Sequence, residues 1–248
     1  MGKHINQRIA VFDVDDTLLV GDCLWIAARR AKGPWSQVVA AFACLPWLIS
    51  WQLRLVTTGR FKQKLIAAFG ICEAVNVVEA ARRADWLLEE LQSQVNPEAL
   101  QRLRWHQKRG DRVLLCSASP RMLLQPLADW LGVELLCTEL EQRDGRWRPR
   151  LVGANCKGPE KVRRLAPQLG PLDGLTIEAY GDSKGDRELL KAAAIPHYRS
   201  FLAEPRPYPA FSLGPLLPVV AIAVLGYGLL GIWSQGDQLL PLLRRLWP

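Results

Sequence analysis

Two carboxylates and a threonine follow the first apolar run of the chain, in the segment Phe-Asp-Val-Asp-Asp-Thr-Leu-Leu at residues 12–19. The run at residues 9–12 predicts a short strand, so Asp13 and Asp15 lie where this strand gives way to a loop. Like charges so close disfavour each other's ionisation, and a divalent cation removes that penalty. Oxygen ligands at a strand end suit Mg²⁺, which binds one or two carboxylates and leaves room for a phosphate. The Asp-x-Asp-x-Thr pattern, which ends at Thr17, therefore predicts a phosphoryl-transfer site.

This pattern resembles the first motif of the haloacid dehalogenase superfamily of phosphatases, and three further segments follow in the family's order. Ser117 follows an apolar strand pattern at residues 112–116, and Asp182 follows another at residues 176–180. Between them, a lysine-bearing loop enters a helix at residues 156–162. Ligands in open α/β sheets bind beyond the carboxyl ends of strands. We therefore expect the four segments to meet at one edge of a sheet.

The chemistry of phosphate esters suggests a role for each segment. General acid–base catalysis contributes about 10²–10⁴-fold, too little for this reaction, so positioning and charge stabilisation must supply the rest. Asp13 is the expected nucleophile, which forms an aspartyl-phosphate, and Asp15 the acid and then the base. Mg²⁺ would be held by Asp13, Asp182 and the backbone carbonyl of Asp15, while Ser117 and Lys161 hold the phosphoryl oxygens. Further support for the metal site is expected from Thr17, Gly181 and Asp186.

Two of these assignments have alternatives nearby. Ser119 is an alternative to Ser117, which would then only cap a helix. The family places the hydroxyl directly after the strand, and this favours Ser117. Lys157 competes with Lys161, and the spacing Cys-x-Gly-x-x-Lys at residues 156–161 selects Lys161 by resemblance to the family.

The resemblance implies an α/β fold, with a Rossmann-like core, a mainly parallel sheet and an inserted helical cap. About a hundred residues separate Asp13 from Ser117, far more than one crossover between parallel strands requires. An Asp144-Gly145 pair predicts a tight hairpin in the core. The expected division is a catalytic core at residues 1–19 and 96–205, a helical cap at residues 20–95, and a C-terminal membrane segment at residues 206–248.

Two apolar stretches predict contact with a membrane. No charge occurs between Arg206 and Asp237, and some twenty residues at 213–233 nearly match a ~30 Å hydrocarbon core at ~1.5 Å each. We expect a C-terminal transmembrane helix there, with a buried helix or a dimer contact as the alternative. Residues 33–53 also lack charge, are rich in tryptophan, are interrupted by Pro46 and are flanked by cations. They predict a membrane-contacting hairpin or, nearly as well, an ordinary cap core.

Composition limits the partners. The 248 residues carry a formal charge of +8, which favours anionic partners, but the cations are too scattered to indicate a nucleic-acid site. The six cysteines lack paired metal spacing and are expected to be reduced core residues of a cytosol-facing protein. The start of the chain has no apolar signal region. The oligomeric state is left open.

Residues 8–200 look like the subgroup that contains phosphoserine phosphatases, and within it are most similar to phosphatidylglycerophosphatase C. That family shares a Trp- and Leu-rich stretch after the first motif and the Ser-x-Ser-Pro form found at residues 117–120. The resemblance implies Mg²⁺-dependent hydrolysis of a lipid-borne phosphate monoester, such as phosphatidylglycerophosphate, at a membrane face. The cysteines favour the cytoplasmic face for the catalytic domain, while the charges around the C-terminal segment leave its orientation open. The alternatives are a tethered phosphatase for a soluble metabolite (phosphoserine or a phosphosugar) and a non-catalytic membrane scaffold.

Overall fold

The structure is a computed structural model that describes residues 8–31, 33–76, 80–169 and 175–201. All of these residues belong to one structural unit, residues 1–203. The membrane segment predicted at residues 206–248 lies outside the described residues. Within the described residues, no helix is both long and apolar enough to cross a membrane.

A six-stranded sheet forms the centre of the catalytic core. Its strands are β1 (Arg8–Phe12), β2 (Arg112–Pro120), β3 (Glu134–Arg143), β4 (Arg146–Val152), β5 (Thr176–Gly181) and β6 (Ile195–Tyr198). They lie in the order β4-β3-β2-β1-β5-β6, and all neighbours pair in parallel except β3 and β4. The predicted α/β core with a mainly parallel sheet is confirmed. Because the chain extends from β1 to both sides, a topological switch point lies at the carboxyl end of β1, where such sheets bind ligands.

Helices cover the sheet and fill the long insert after β1. The insert contains α1 (Cys23–Ala31), α2 (Pro34–Gln52), α3 (Thr58–Ala68), α4 (Ile71–Asn76) and α5 (Ala80–Ser93). The core contains α6 (Pro97–Lys108), α7 (Arg121–Leu131), α8 (Pro159–Leu169) and α9 (Arg187–Ala192). We call α1–α5 the cap.

The central strand β1 is buried on both faces. Ala10 and Phe12 belong to an apolar cluster shared with the cap and with α7, whereas Ile9 and Val11 belong to a second cluster on the side of α8 and α9. Successive side chains of a strand point to opposite faces, so a strand covered on both sides is apolar throughout. This packing holds the carboxyl end of β1, and hence Asp13, in a fixed position.

The cap leaves and re-enters the core through two linkers that lie side by side. The amide of Val20 donates to the carbonyl of Gln94 at 2.7 Å, and the amide of Asn96 donates to the carbonyl of Leu18 at 2.8 Å. The side chain of Asn96 then caps α6 by accepting from the amide of Glu98 at 3.0 Å. The cap is therefore joined to the core at one place, directly after the first motif.

For residues 33–53 the sequence predicts a hairpin interrupted at Pro46 or an ordinary cap core. In the structure, Pro34–Gln52 form the single helix α2, without a break at Pro46. A proline in a helix interior costs about 3 kcal/mol, so packing must offset this cost. Trp51 of α2 stacks on Phe61 of α3 with 5.4 Å between ring centroids, and its indole N–H donates to Thr58 at 3.1 Å. Contact of this stretch with lipid stays a prediction.

The predicted hairpin at Asp144-Gly145 is confirmed. These residues connect the antiparallel strands β3 and β4, and their φ angles are 51° and 70°. Positive φ at both central residues is what a type I′ turn requires, and Asp-Gly is a favoured sequence for it.

Candidate active site

Asp13 is buried directly beyond the carboxyl end of β1. Its amide donates to the carbonyl of Tyr180 in β5 at 2.9 Å, which keeps the ends of the two strands together. Burial raises the pKa of its carboxyl group to about 8, Lys161 opposes this rise, and the charges of Asp186 and Asp15 add to it. A carboxylate in this position therefore needs additional positive charge to remain ionised.

Lys161 supplies part of that charge. It lies in the first turn of α8 and is only 2% exposed, and its Nζ is 2.6 Å from Asp13 Oδ1 and 2.5 Å from Asp186 Oδ1. Burial by itself lowers the pKa of Lys161, but the charges of Asp13 and Asp186 outweigh burial and raise it. Lys157 instead packs on Gly185, where an added Cβ would meet Lys157 Cε at 2.9 Å. Of the two lysines considered, Lys161 is therefore the one at Asp13.

The loop after β5 brings Asp182 and Asp186 to the same place. Asp186 Oδ2 accepts hydrogen bonds from the amide of Ser183 at 3.1 Å and from its hydroxyl at 2.7 Å. The bond from the amide belongs to a capping box, in which the Ser183 side chain in turn accepts from a backbone amide. The loop also depends on Gly181, because a Cβ there would lie 2.6 Å from Asp186 Cβ. Gly181 thus permits the close approach that points Asp186 at Lys161.

Three carboxylates form a potential cation site. Asp13, Asp182 and Asp186 each offer an oxygen, and these oxygens lie within 4.8 Å of one another. Burial, Asp186 and Asp16 raise the pKa of Asp182 to about 6, another sign of crowded negative charge. Among the described residues, Thr17 Oγ1 is the buried side-chain polar atom without a hydrogen-bond partner. An all-oxygen donor set suits a hard cation such as Mg²⁺. Both oxygens of Asp186 already accept from Lys161 and Ser183, so Asp13 and Asp182 are the carboxylates that fit the metal that the sequence predicts.

The structure separates the two serines that the sequence left as alternatives. Ser117 is fully buried in β2, at the last position before the pairing with β3 shifts register, and its Oγ accepts from the amide of Ser119 at 3.0 Å. Ser119 Oγ donates a hydrogen bond to Asp15 Oδ2 at 2.6 Å. A hydroxyl can donate one hydrogen bond, and that of Ser119 is already used on Asp15. Ser117 still has its proton for a phosphate oxygen.

Two charged residues on the cap side of the site were not among the predicted site residues. Lys62 of α3 donates from Nζ to the carbonyl of Ala118 at 2.6 Å. Asp22 caps α1 by accepting from the amide of Leu24 at 2.8 Å, and burial together with the charge of Asp15 raises its pKa to about 6. Burial lowers the pKa of Lys62, although Asp15 and Asp22 oppose this. No local pattern indicates Lys62, because its place depends on how the cap packs on the core.

Comparison with known proteins agrees with this geometry. The model of the haloacid dehalogenase-like hydrolase family matches residues 10–191. The chain belongs to this family. This match confirms the predicted family. It also confirms the prediction of an enzyme, a hydrolase of the haloacid dehalogenase type.

Several relatives support the assignment. The chain is 33% identical over 201 residues to the protein CicA of Caulobacter vibrioides, a match that covers 79% of this chain and 88% of CicA. It is 29% identical over 196 residues to the phosphoserine phosphatase SerB2 of Mycobacterium tuberculosis, but this match covers 77% of this chain and only 43% of SerB2. A crystal structure of a protein of unknown function from Bordetella pertussis Tohama I has a TM-score of 0.64 at 25% identity, covering 77% of this chain and 89% of that one. The hydrolase fold and the similarity to SerB2 are consistent with a phosphatase.

Proposed function

We propose that the protein is a Mg²⁺-dependent phosphomonoester hydrolase that works through an aspartyl-phosphate on Asp13. The observation that carries this proposal is the buried ammonium of Lys161 between Asp13 and Asp186, at 2.6 Å and 2.5 Å. A phosphoryl group that approaches Asp13 is repelled by its carboxylate. Fixed positive charge beside the carboxylate offsets this repulsion, and it is most effective in a buried site.

The chain's own residues account for both steps of the reaction. An Asp13 oxygen attacks phosphorus, and the bond to the ester oxygen breaks as Asp15 gives that oxygen a proton. Asp15 then takes a proton from the water that attacks the aspartyl-phosphate, which releases inorganic phosphate and restores both side chains. Ser119 and the amide of Cys23, at 2.6 Å and 2.9 Å from the Asp15 oxygens, hold Asp15 for this work.

Mg²⁺ would be held by Asp13, Asp182 and the backbone carbonyl of Asp15. When bound, it supplies positive charge that stabilises the transferring phosphoryl group. The hydroxyl of Ser117 and the ammonium of Lys161 would hold the phosphoryl oxygens. Asp186 bonds to Lys161 and Ser183, so its role is to keep the lysine in place.

Hydrolysis of p-nitrophenyl phosphate by the full chain tests this proposal. We expect turnover with Mg²⁺ and none with a chelator. Asp13→Asn should lose activity by a factor on the order of 10⁴ or more, because it removes the nucleophile, while its circular dichroism stays that of the wild type. Wild-type-like turnover in this variant would refute the assignment of Asp13. A wild-type protein without Mg²⁺-dependent activity would instead favour the scaffold alternative.

For the substrate, we propose a lipid-borne phosphate monoester, with phosphatidylglycerophosphate as the leading candidate, and a catalytic unit at the cytoplasmic face of a membrane. Residues 23–72, which include most of the cap, contain seven Lys and Arg and no Asp or Glu. Trp35 and Leu55 of this stretch are 84% and 74% exposed. All six cysteines are free and buried, which fits a reducing compartment.

A soluble substrate with a second charged group, such as phosphoserine, is the second candidate. Lys62 and Asp22 favour it, because they bring opposite charges to the neighbourhood of Asp15. Turnover of phosphatidylglycerophosphate in mixed micelles, compared with turnover of phosphoserine, decides between the two candidates. Faster hydrolysis of phosphoserine would overturn the lipid proposal and leave the catalytic proposal intact.

A further inference from the structure

One face of α2 is apolar and exposed along the length of the helix. Trp35, Val39, Ile49 and Leu53 are 84%, 69%, 57% and 65% exposed. Exposed Ala43 and Pro46 occupy the helical positions between them. The spacing of three or four residues places the five residues of α2, and Leu53 directly after its last residue, on one side of the helix, in a stripe about 27 Å long. We call this stripe the apolar face; it comprises Trp35, Val39, Ala43, Pro46, Ile49 and Leu53.

The opposite side of α2 is packed against the rest of the cap. Ala40 and Cys44 are 3% and 7% exposed and belong to the main apolar cluster. Trp51 stacks on Phe61. Trp47 lies on the flank between the two sides of α2, with Lys64 4.6 Å from its ring centroid. The apolar face is therefore presented outward from an anchored helix.

All charged residues near the apolar face in the sequence are lysines and arginines. Asp22 and Glu73 are the nearest acidic residues on either side, and the fifty residues between them carry seven cations. The exposed cations with described side chains are Arg29, Arg54, Arg60 and Lys64. Arg54 follows the apolar face directly, and Lys64 lies beside α2 through Trp47. An apolar stripe with a cationic border is complementary to the surface of an anionic bilayer.

We infer that the apolar face is a docking surface for an anionic lipid bilayer, with α2 lying in the plane of the interface. This inference rests on the proposed function, because the surface would hold the enzyme at the membrane that contains its lipid substrate. A second copy of the chain is a poor occupant, because a symmetric contact would bring two cationic borders together. An anionic bilayer matches the face in two ways: its acyl chains provide apolar contact for the stripe, and its headgroups provide negative charge for the cations.

A single fluorescent label on the full chain tests the inference. Ile49→Cys places a reactive thiol on the apolar face, and Asp144→Cys places a control thiol at the exposed β3–β4 turn. The six native cysteines are buried, so labelling of the folded protein is selective. An environment-sensitive dye is attached at each position, and vesicles of phosphatidylcholine with and without phosphatidylglycerol are added. Brominated acyl chains then report whether the dye enters the bilayer.

With anionic vesicles, we expect the dye at position 49 to shift to shorter wavelength and to be quenched by bromine, while the dye at 144 stays water-like. A water-like dye at position 49 with both vesicle types would overturn the inference. A shift without vesicles that grows with protein concentration would assign the face to a second copy. A shift without vesicles at every concentration would assign it to another part of the same chain. Both of these results would also overturn the inference.

Activity separates this inference from the proposed function. The double variant Val39→Gln and Ile49→Gln should lose about tenfold or more of its turnover of lipid phosphate in anionic vesicles, because it removes apolar contact with the bilayer. Its turnover of p-nitrophenyl phosphate should be unchanged. Val152→Gln, at a 53% exposed position of β4, is the matched control and should change neither rate. If p-nitrophenyl phosphate is not hydrolysed by the wild type but the dye at position 49 enters the bilayer, only the catalytic proposal fails.

Discussion

Ser119 Oγ lies 2.6 Å from Asp15 Oδ2 and donates a hydrogen bond to that carboxylate. The other oxygen of Asp15 accepts from the amide of Cys23, the first residue of α1, at 2.9 Å. Asp15 is thus held between β2 of the core and the first helix of the cap. A proton donor fixed in this way does not have to be ordered when the substrate arrives, and such preorganisation favours catalysis.

Ser119→Ala should therefore impair the reaction according to the leaving group. We expect about a tenfold lower kcat/KM on an alkyl phosphate, whose leaving oxygen needs a proton, and little change in kcat/KM on p-nitrophenyl phosphate, whose leaving group does not. The ratio kcat/KM reports the step that forms the aspartyl-phosphate, in which Asp15 is the acid, and not the later hydrolysis that both substrates share. Ser117→Ala should instead raise KM for both substrates, because it removes a hydrogen bond to the phosphoryl group. Steady-state kinetics of both variants on both substrates distinguish the two serines. Equal losses of kcat/KM on both substrates in Ser119→Ala would contradict a role through Asp15 as the acid.

Lys161 should contribute to stability as well as to catalysis. Lys161→Met leaves Asp13 and Asp186 as buried, unpaired carboxylates, so we expect the free energy of unfolding to fall by about 3–5 kcal/mol in urea titrations without metal. Mg²⁺ should restore part of this loss, since it compensates the same charges. Adding Asp186→Asn to the variant should also restore part of it.

Lys64→Met is the matched control for this experiment. Lys64 lies on the surface of α3 over the ring of Trp47, and its loss should cost less than about 1 kcal/mol. Equal losses of stability in Lys161→Met and Lys64→Met would contradict the structural role of the buried lysine.

The catalytic edge was largely predictable because its signals are local. Asp13, Ser117 and Asp182 each follow an apolar run that forms a strand of the parallel sheet, so the fold brings them to one edge. Lys161 was selected over Lys157 by its spacing in the family motif, and the structure places it at Asp13. In each of these cases, one short segment contains both the reactive side chain and the sequence pattern that predicts where it lies in the fold.

What escaped prediction depends on contacts between distant segments. Lys62 reaches Ala118 across 56 residues, and Ser119 reaches Asp15 across 104 residues. Neither contact has a local pattern. The first is set by how the cap packs on the core, and the second by how β2 lies beside β1 in the sheet. At Pro46, by contrast, a local signal is present but misleading. The proline predicts an interruption, whereas packing on the rest of the cap keeps α2 a single helix.

Lys62 should affect the choice of substrate more than the chemical steps of the reaction. Its Nζ hydrogen bond to Ala118 places a cation of the cap beside the Ser117–Ser119 segment. We expect Lys62→Met to lower kcat/KM about tenfold for a substrate with a second anionic group, and much less for p-nitrophenyl phosphate, because only the former has a partner for the lysine. Lys64→Met, from the same helix, should leave both values near those of the wild type. A uniform loss on all substrates would indicate instead that Lys62 only holds the cap on the core.

The two glycines of the Asp182–Asp186 loop should differ in their tolerance of a methyl group. At Gly181, a Cβ would lie 2.6 Å from Asp186 Cβ and 2.9 Å from its Cγ, so Gly181→Ala must displace the carboxylate that holds Lys161. At Gly185, the nearest atom is Lys157 Cε at 2.9 Å, the far part of a flexible side chain that is able to move away. We expect Gly181→Ala to cost about 1–3 kcal/mol of stability and most of the activity, and Gly185→Ala to cost clearly less of both. Thermal unfolding and turnover of p-nitrophenyl phosphate measure the difference. Equal effects would mean that the approach of Asp186 to Gly181 is not what positions Lys161.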